Sequence, residues 1–201
     1  MLITPSIPTP QNEVAAITKN NIALWSRCYS MGNAAHQQQQ FTKAVTYFKK
    51  CIALCTELSR QTPIINYTKT LPEMLHQTSH NLAACHNAMG QGLLAKKVLK
   101  KLHDQFIRVA SCSNQPRSIR LEVLANIDQS LFSLTSQLAY LNQVEEVHAL
   151  IVTTENVVTT ASRVLLGDSY STPTNHSIFF AGTTQHNNTL PPEHGKVRAI
   201  R

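Results

Sequence analysis

Acidic residues are scarce in this chain. Only eleven Asp and Glu stand among 201 residues, and charged residues of both signs make up 14%. Hydrolytic catalysis needs a nucleophile, a base and an orienting group in a fixed arrangement. The serines here have no such His and Asp setting, so no enzyme and no cofactor are expected. Glycine is also rare, at six. The nearest approach to a phosphate loop, MGQG at 89–92, lacks both the GxGxxG spacing and a following Lys-Ser/Thr. No run of eighteen apolar residues exists, so no membrane span is expected. The five cysteines, Cys28, Cys51, Cys55, Cys85 and Cys112, are odd in number and never spaced CxxC. The opening MLITPSIPTPQNE has neither a basic start nor an apolar core, so it does not read as a signal peptide. These absences point to a reducing, cytoplasmic setting with free thiols. The sequons at Asn66, Asn175 and Asn187 are then chance.

What is present is an apolar fraction of 42%, with Gln, Asn, Thr and Ser supplying most of the polarity, and a formal net charge of +7. A positive balance permits an anionic partner, although solubility is its ordinary consequence. Residues 1–11, with three prolines, read as an extended arm. Apolar residues then recur at helical spacing. One stripe holds Val14, Ile17, Leu24, Trp25, Cys28, Met31 and Ala35. The next holds Phe41, Ala44, Val45, Phe48, Cys51, Ile52, Cys55 and Leu58. Four more follow: Leu71 to Met89, Leu94 to Phe106, Leu121 to Leu138, and Val144 to Val158, with Gly167 as a stop. The expected organisation is an all-α domain over 12–167, with hairpins at about 12–62, 70–111 and 119–166. A flexible tail over 168–201 carries one apolar spot, Ile178-Phe179-Phe180.

Six helices in three close pairs invite a search for repetition. Met31-Gly32, Ala35, Phe41, Ala44 and Phe48 align with Leu82-Ala83, His86, Gly90, Gly92, Ala95 and Leu99. Leu134-Thr135, Leu138, Asn142, Val144, Val147 and Ile151 follow the same outline. Ala44, Ala95 and Val147 mark one position at intervals of 51 and 52 residues. Small residues there let paired helices approach closely, and large ones such as Phe41, Phe48 and Leu99 fill the remaining space.

This pattern resembles the tetratricopeptide repeat over roughly residues 20–165, with a period longer than the usual ~34 residues. A plain antiparallel bundle is the alternative. The resemblance implies three hairpins stacked as a short right-handed superhelix, with a concave groove, lined by the first helix of each hairpin, for an extended peptide or a partner helix. Carried over residue by residue, that groove would hold Tyr29, Asn33 and His36, then His80, Asn81, Ala84 and Asn87, then Phe132, Ser136 and Tyr140. One subclass of the family grips chaperone C-terminal carboxylates with two lysines, two asparagines and an arginine. Asn33 and Asn81 match its asparagines, but Tyr29 and Gln129 stand at the lysine places and Ser133 at the arginine place. Buried carboxylates without positive partners are costly, so that role is rejected. The asparagines can instead bond a peptide backbone or bridge helices.

His76 and His80, like Cys51 and Cys55, are four apart, a spacing that suits two ligands on one metal. Both cysteines lie on the apolar stripe, however, where Cys behaves as a small hydrophobe, and no metal is expected. The strongest basic feature is KKVLKKLHDQFIR: Lys96, Lys97, Lys100, Lys101 and Arg108 oppose an apolar stripe. The sequence therefore supports a non-catalytic adaptor for a protein or peptide partner. The alternative is a nucleic-acid-associated regulator using the basic face. A homodimer capping the ends of the stack is a further possibility.

Overall fold

In the computed structural model, which describes residues 10–60 and 71–167, six α-helices account for most of the described residues. They are α1 (Pro10–Gln37), α2 (Phe41–Leu58), α3 (Leu71–Ala88), α4 (Gly92–Ser111), α5 (Arg117–Tyr140) and α6 (Val144–Leu166). No strand occurs among the described residues. None of these helices is long and apolar enough to cross a membrane. The arm expected over 1–11 overlaps α1, which already begins at Pro10. Residues 1–9, 61–70 and the expected tail 168–201, including Ile178–Phe180 and the three sequons, lie outside the described residues.

Three short turns join α1 to α2, α3 to α4 and α5 to α6, and all three have one geometry. Gln39, Gly90 and Asn142 take positive φ of 59°, 72° and 58°. Around each, the following N–H reaches back five residues: Gln40 to Ala35 (2.9 Å), Gln91 to His86 (2.8 Å) and Gln143 to Leu138 (2.9 Å). The positive-φ residue bonds back three: Gln39 to His36, Gly90 to Asn87 and Asn142 to Ala139, each at 2.9 Å. This is the Schellman closure, which satisfies the last carbonyls of a helix. It recurs at the 51- and 52-residue intervals of the sequence, and a glutamine always opens the next helix. Gly90 enters the left-handed region freely and Asn142 tolerates it, whereas Gln39 carries steric strain. Gln39→Gly should therefore raise stability by about 1 kcal/mol and Gly90→Ala lower it by about as much. Urea denaturation midpoints at equal slope would show it.

Short turns make each pair antiparallel. Contacts then follow the chain: each helix packs on the next, α1 meets α3, α3 meets α5 and α4 meets α6, while α1 approaches neither α5 nor α6. This arrangement is linear rather than closed. Equivalent helices also pack alike. Ala44, Phe48 and Leu82 form one cluster with Val45, Ala35 and Cys85; Ala95, Leu99 and Leu134 form its counterpart with Ala83 and Leu138. Ala44 and Ala95 are both fully buried, as expected of small residues at a close helix approach. A longer core runs beneath them from Trp25, Cys28, Cys51 and Cys55 through Met74, Leu102 and Phe106 to Val123, Ile127 and Ala161. Ile17 and Met31, expected on the core face of α1, are instead 46% and 40% exposed. They sit where none of the described helices covers α1.

Candidate functional site

The first helices of the three pairs adjoin one another, so the residues expected in a groove can be located in turn. On α1, Trp25 stacks on Tyr29 with centroids 4.9 Å apart and 13° between planes. Tyr29 meets the ring of Phe48 edge-on at 6.0 Å. Asn81 of α3 reaches across, its Nδ2 donating to Tyr29 Oη (3.0 Å) and Asn33 Oδ1 (2.8 Å). Both amide hydrogens of Asn81 thus bridge α1 to α3, and any ligand contact falls to its carbonyl oxygen. Asn33, His36, Asn81 and Ala84, with Gln37, line a shallow depression of about 190 Å³. His36 packs edge-on against Phe41 at 5.4 Å.

Between α3 and α5 the connection is an amide clasp. Asn87 Nδ2 donates to Gln137 Oε1 (2.7 Å), and Gln137 Nε2 donates back to Asn87 Oδ1 and to the Gly92 carbonyl, both at 3.1 Å. Asn87 is therefore a strut. His76 Nε2 lies 3.3 Å from Ser133 Oγ. Burial holds the His76 imidazole below its ordinary range, against the effect of a backbone hydrogen bond with Gln129, and nearby His80 adds to the lowering. The two rings are 6.2 Å apart, and His80 itself is exposed. Phe132, Ser136 and Tyr140 follow one another by a turn along α5. All three face solvent, Phe132 at 70% and Tyr140 at 69% exposure. Of the ten groove residues, the structure joins Tyr29, Asn33, His36, Asn81 and Ala84 at the α1–α3 seam. His80, Phe132, Ser136 and Tyr140 remain outward-facing.

The basic stretch divides in two. Lys97, Lys100, Lys101 and Arg108 are exposed on α4 and, with Asp104, border a surface depression of about 570 Å³. Lys96 does not share that face. Its Nζ donates to Gln143 Oε1 and to both carboxylate oxygens of Glu146, each at 2.8 Å, tying α4 to α6. His103, from the same stretch, is only 1% exposed.

The five cysteines are free, and burial makes three of them inert. Burial pushes the thiols of Cys51 and Cys55 up to about 12 and that of Cys85 to about 11, far from the thiolate needed for nucleophilic or metal chemistry. Among the described residues no three His, Cys, Asp or Glu side chains are placed to hold a metal. Gln137, Gln143 and Glu146 are the connecting residues that composition and periodicity alone do not flag. Their signal is the interval: Asn87 to Gln137, Lys96 to Gln143 and Lys96 to Glu146 span 50, 47 and 50 positions, close to one repeat.

Among known proteins, the family described as "Protein of unknown function (DUF2753)" matches residues 23–165, well over half of the chain. No curated protein and no solved structure matches it.

Proposed function

The chain belongs to that family, DUF2753, and we propose that it is a non-catalytic, cytoplasmic adaptor of tetratricopeptide type. Its three hairpins form a short right-handed stack, and the row α1, α3, α5 receives a peptide segment of a protein partner. One observation carries this reading: three hairpin turns with one hydrogen-bond pattern at a 51–52-residue interval. That recurrence makes α1, α3 and α5 equivalent helices. Helices of 18 to 28 residues account for a period longer than the usual ~34. Stacked repeats contact only their neighbours, and the linear contact order agrees with that.

Amides, imidazoles and aromatic rings line the row, with few charges. Tyr29, Asn33, Asn81 and Asn87 brace its helices. His80, Phe132, Ser136 and Tyr140 are the side chains open to a ligand. Exposed aromatic rings are common anchors of interfaces. Such a surface suits a peptide of mixed polar and apolar character, not an acidic tail.

Selection of peptides from a random library tests the proposal. The native chain should enrich a consensus containing apolar anchors. His80→Ala/Phe132→Ala/Tyr140→Ala should weaken the selected peptides at least tenfold, because each change removes contact area without touching a buried group. Lys97→Gln/Lys100→Gln/Lys101→Gln should leave them unchanged. If no peptide is enriched, or the groove triple variant binds as tightly as the native chain, the adaptor reading is wrong.

A further inference from the structure

Among the six described helices, net positive charge is concentrated in two. α2 and α4 together hold eight Lys or Arg against two acids, Glu57 and Asp104; the other four helices hold five against seven. α3 packs on both basic helices, and Val98 of α4 and Phe48 and Val45 of α2 reach the same cluster around its Leu82 and Cys85. Within α4 the exposed cations follow one outward stripe: Lys97, Lys101 and Arg108, with Lys100 beside them. Internal pairing leaves most of this stripe unneutralised. Lys100 lies 3.2 Å from Asp104, but both are more than half exposed, so that contact is weak. Lys96, by contrast, is engaged by Glu146, which separates a structural lysine from those facing outward.

We propose that this stripe of α4 binds the phosphate backbone of duplex nucleic acid without reading its sequence. Lys97 to Arg108 spans about 16 Å of helix, along which a duplex presents roughly one phosphate charge per 1.7 Å of its axis. Four exposed cations on one rigid helix can therefore each meet a phosphate. The stripe carries no aromatic ring for stacking on bases, and its chemistry is a row of cations along one helix, which matches the repeating phosphate charge, so contact is to the backbone. A lipid surface fits less well. Interfacial helices insert an apolar face, and that of α4 (Leu99, Leu102, Phe106) is buried in the protein. Exposed Leu93 and Leu94 precede the cations rather than alternating with them. This surface is separate from the groove and does not depend on it.

Anisotropy of a short fluorescein-labelled DNA duplex of arbitrary sequence, titrated with the full chain, tests the assignment. Four phosphate contacts predict a log–log salt slope near −3.6, so affinity should fall roughly a hundredfold from about 50 to about 200 mM salt. Lys97→Gln/Lys100→Gln/Lys101→Gln should flatten the slope by about 2.7. Lys19→Gln/Arg27→Gln/Arg163→Gln removes the same charge from exposed sites on α1 and α6 and should leave the slope unchanged, as should the groove triple variant. The proposal is overturned if the native chain fails to bind the duplex at low salt. Equal weakening by the control triple variant would overturn it too, since net charge alone would then explain the binding. So would equal or tighter binding to phosphatidylserine-containing vesicles or to polyglutamate at the same salt.

Discussion

Gly32→Ala is expected to destabilise the protein by about 2–3 kcal/mol, in the range of overpacked cores. On an exposed helix the same change would add about 1 kcal/mol of stability, because alanine is the better helix former. The sign reverses here because of what lies opposite. A Cβ at position 32 would sit 2.7 Å from Phe48 Cε1, 2.9 Å from Cζ and 3.0 Å from Cδ1. Phe48 is fully buried, enclosed by Ala35, Ala44, Val45, Leu82 and Cys85, with Tyr29 against its edge. A rigid ring in such a setting cannot retreat without moving α1 or α2. Gly92, by comparison, would bring a Cβ to 3.0 Å from Leu141 Cδ2, the far end of a flexible side chain, and its substitution should be milder. A double-mutant cycle isolates the effect. Phe48→Leu alone should cost about 1–2 kcal/mol. In that background Gly32→Ala should become neutral or slightly stabilising, a coupling of about 2 kcal/mol by urea denaturation. Were Gly32→Ala as stable as the native chain, the close approach of α1 and α2 would be refuted.

Gly32, Ala44 and Ala95 are legible in the sequence as packing residues, because small side chains at a fixed interval mark the places where paired helices approach closely. The six helices follow from apolar periodicity. What stays hidden depends on partners about one repeat away. Periodicity assigns a side chain to a face of its own helix, not to the neighbour that covers that face. Met31 and Ile17 lie on the apolar stripe of α1, yet none of the described helices shields them. Lys96 and Lys97 are consecutive, but the 100° between them turns one toward Glu146 and the other to solvent. Asn81 reads in the sequence as a ligand contact, and in the fold its two N–H groups are taken by Tyr29 and Asn33. The residues most open to a ligand, Phe132 and Tyr140, come from the resemblance to the repeat, not from composition.

His103 is the clearest case of a residue whose role depends on partners far along the chain, and acid should expose it. In the sequence it reads as one polar residue in a basic stretch. In the fold it is 1% exposed, with Nδ1 2.9 Å from Ser130 Oγ on α5 and Nε2 3.0 Å from Thr154 Oγ1 on α6. One imidazole thereby connects three helices. Burial holds its protonation below the ordinary histidine range, Asp104 opposing and Lys100 assisting. The ring is therefore neutral at pH 7: it donates from one nitrogen and accepts at the other, so one of the two hydroxyls must turn its hydrogen toward the ring.

The pH dependence follows from linkage. The unfolded chain, with an ordinary histidine near pKa 6.5, takes up the proton first as pH falls. The stabilisation is complete above that value and is lost as pH drops through it toward the lower folded value, at up to about 1.4 kcal/mol per pH unit for each such group. His76, shifted in the same direction by burial, contributes with the same sign. His103→Gln, a neutral side chain that also donates and accepts, should lower stability at pH 8 by about 1–2 kcal/mol through imperfect geometry. It should also flatten the decline between pH 7 and 5. His103→Ala should cost about 3 kcal/mol at pH 8, since it leaves a cavity and takes the imidazole from two hydroxyls, which keep only the Ile127 and Leu150 carbonyls. Urea midpoints across that pH range decide the matter: if His103→Gln declines as steeply as the native chain, His103 is not the acid-sensitive group.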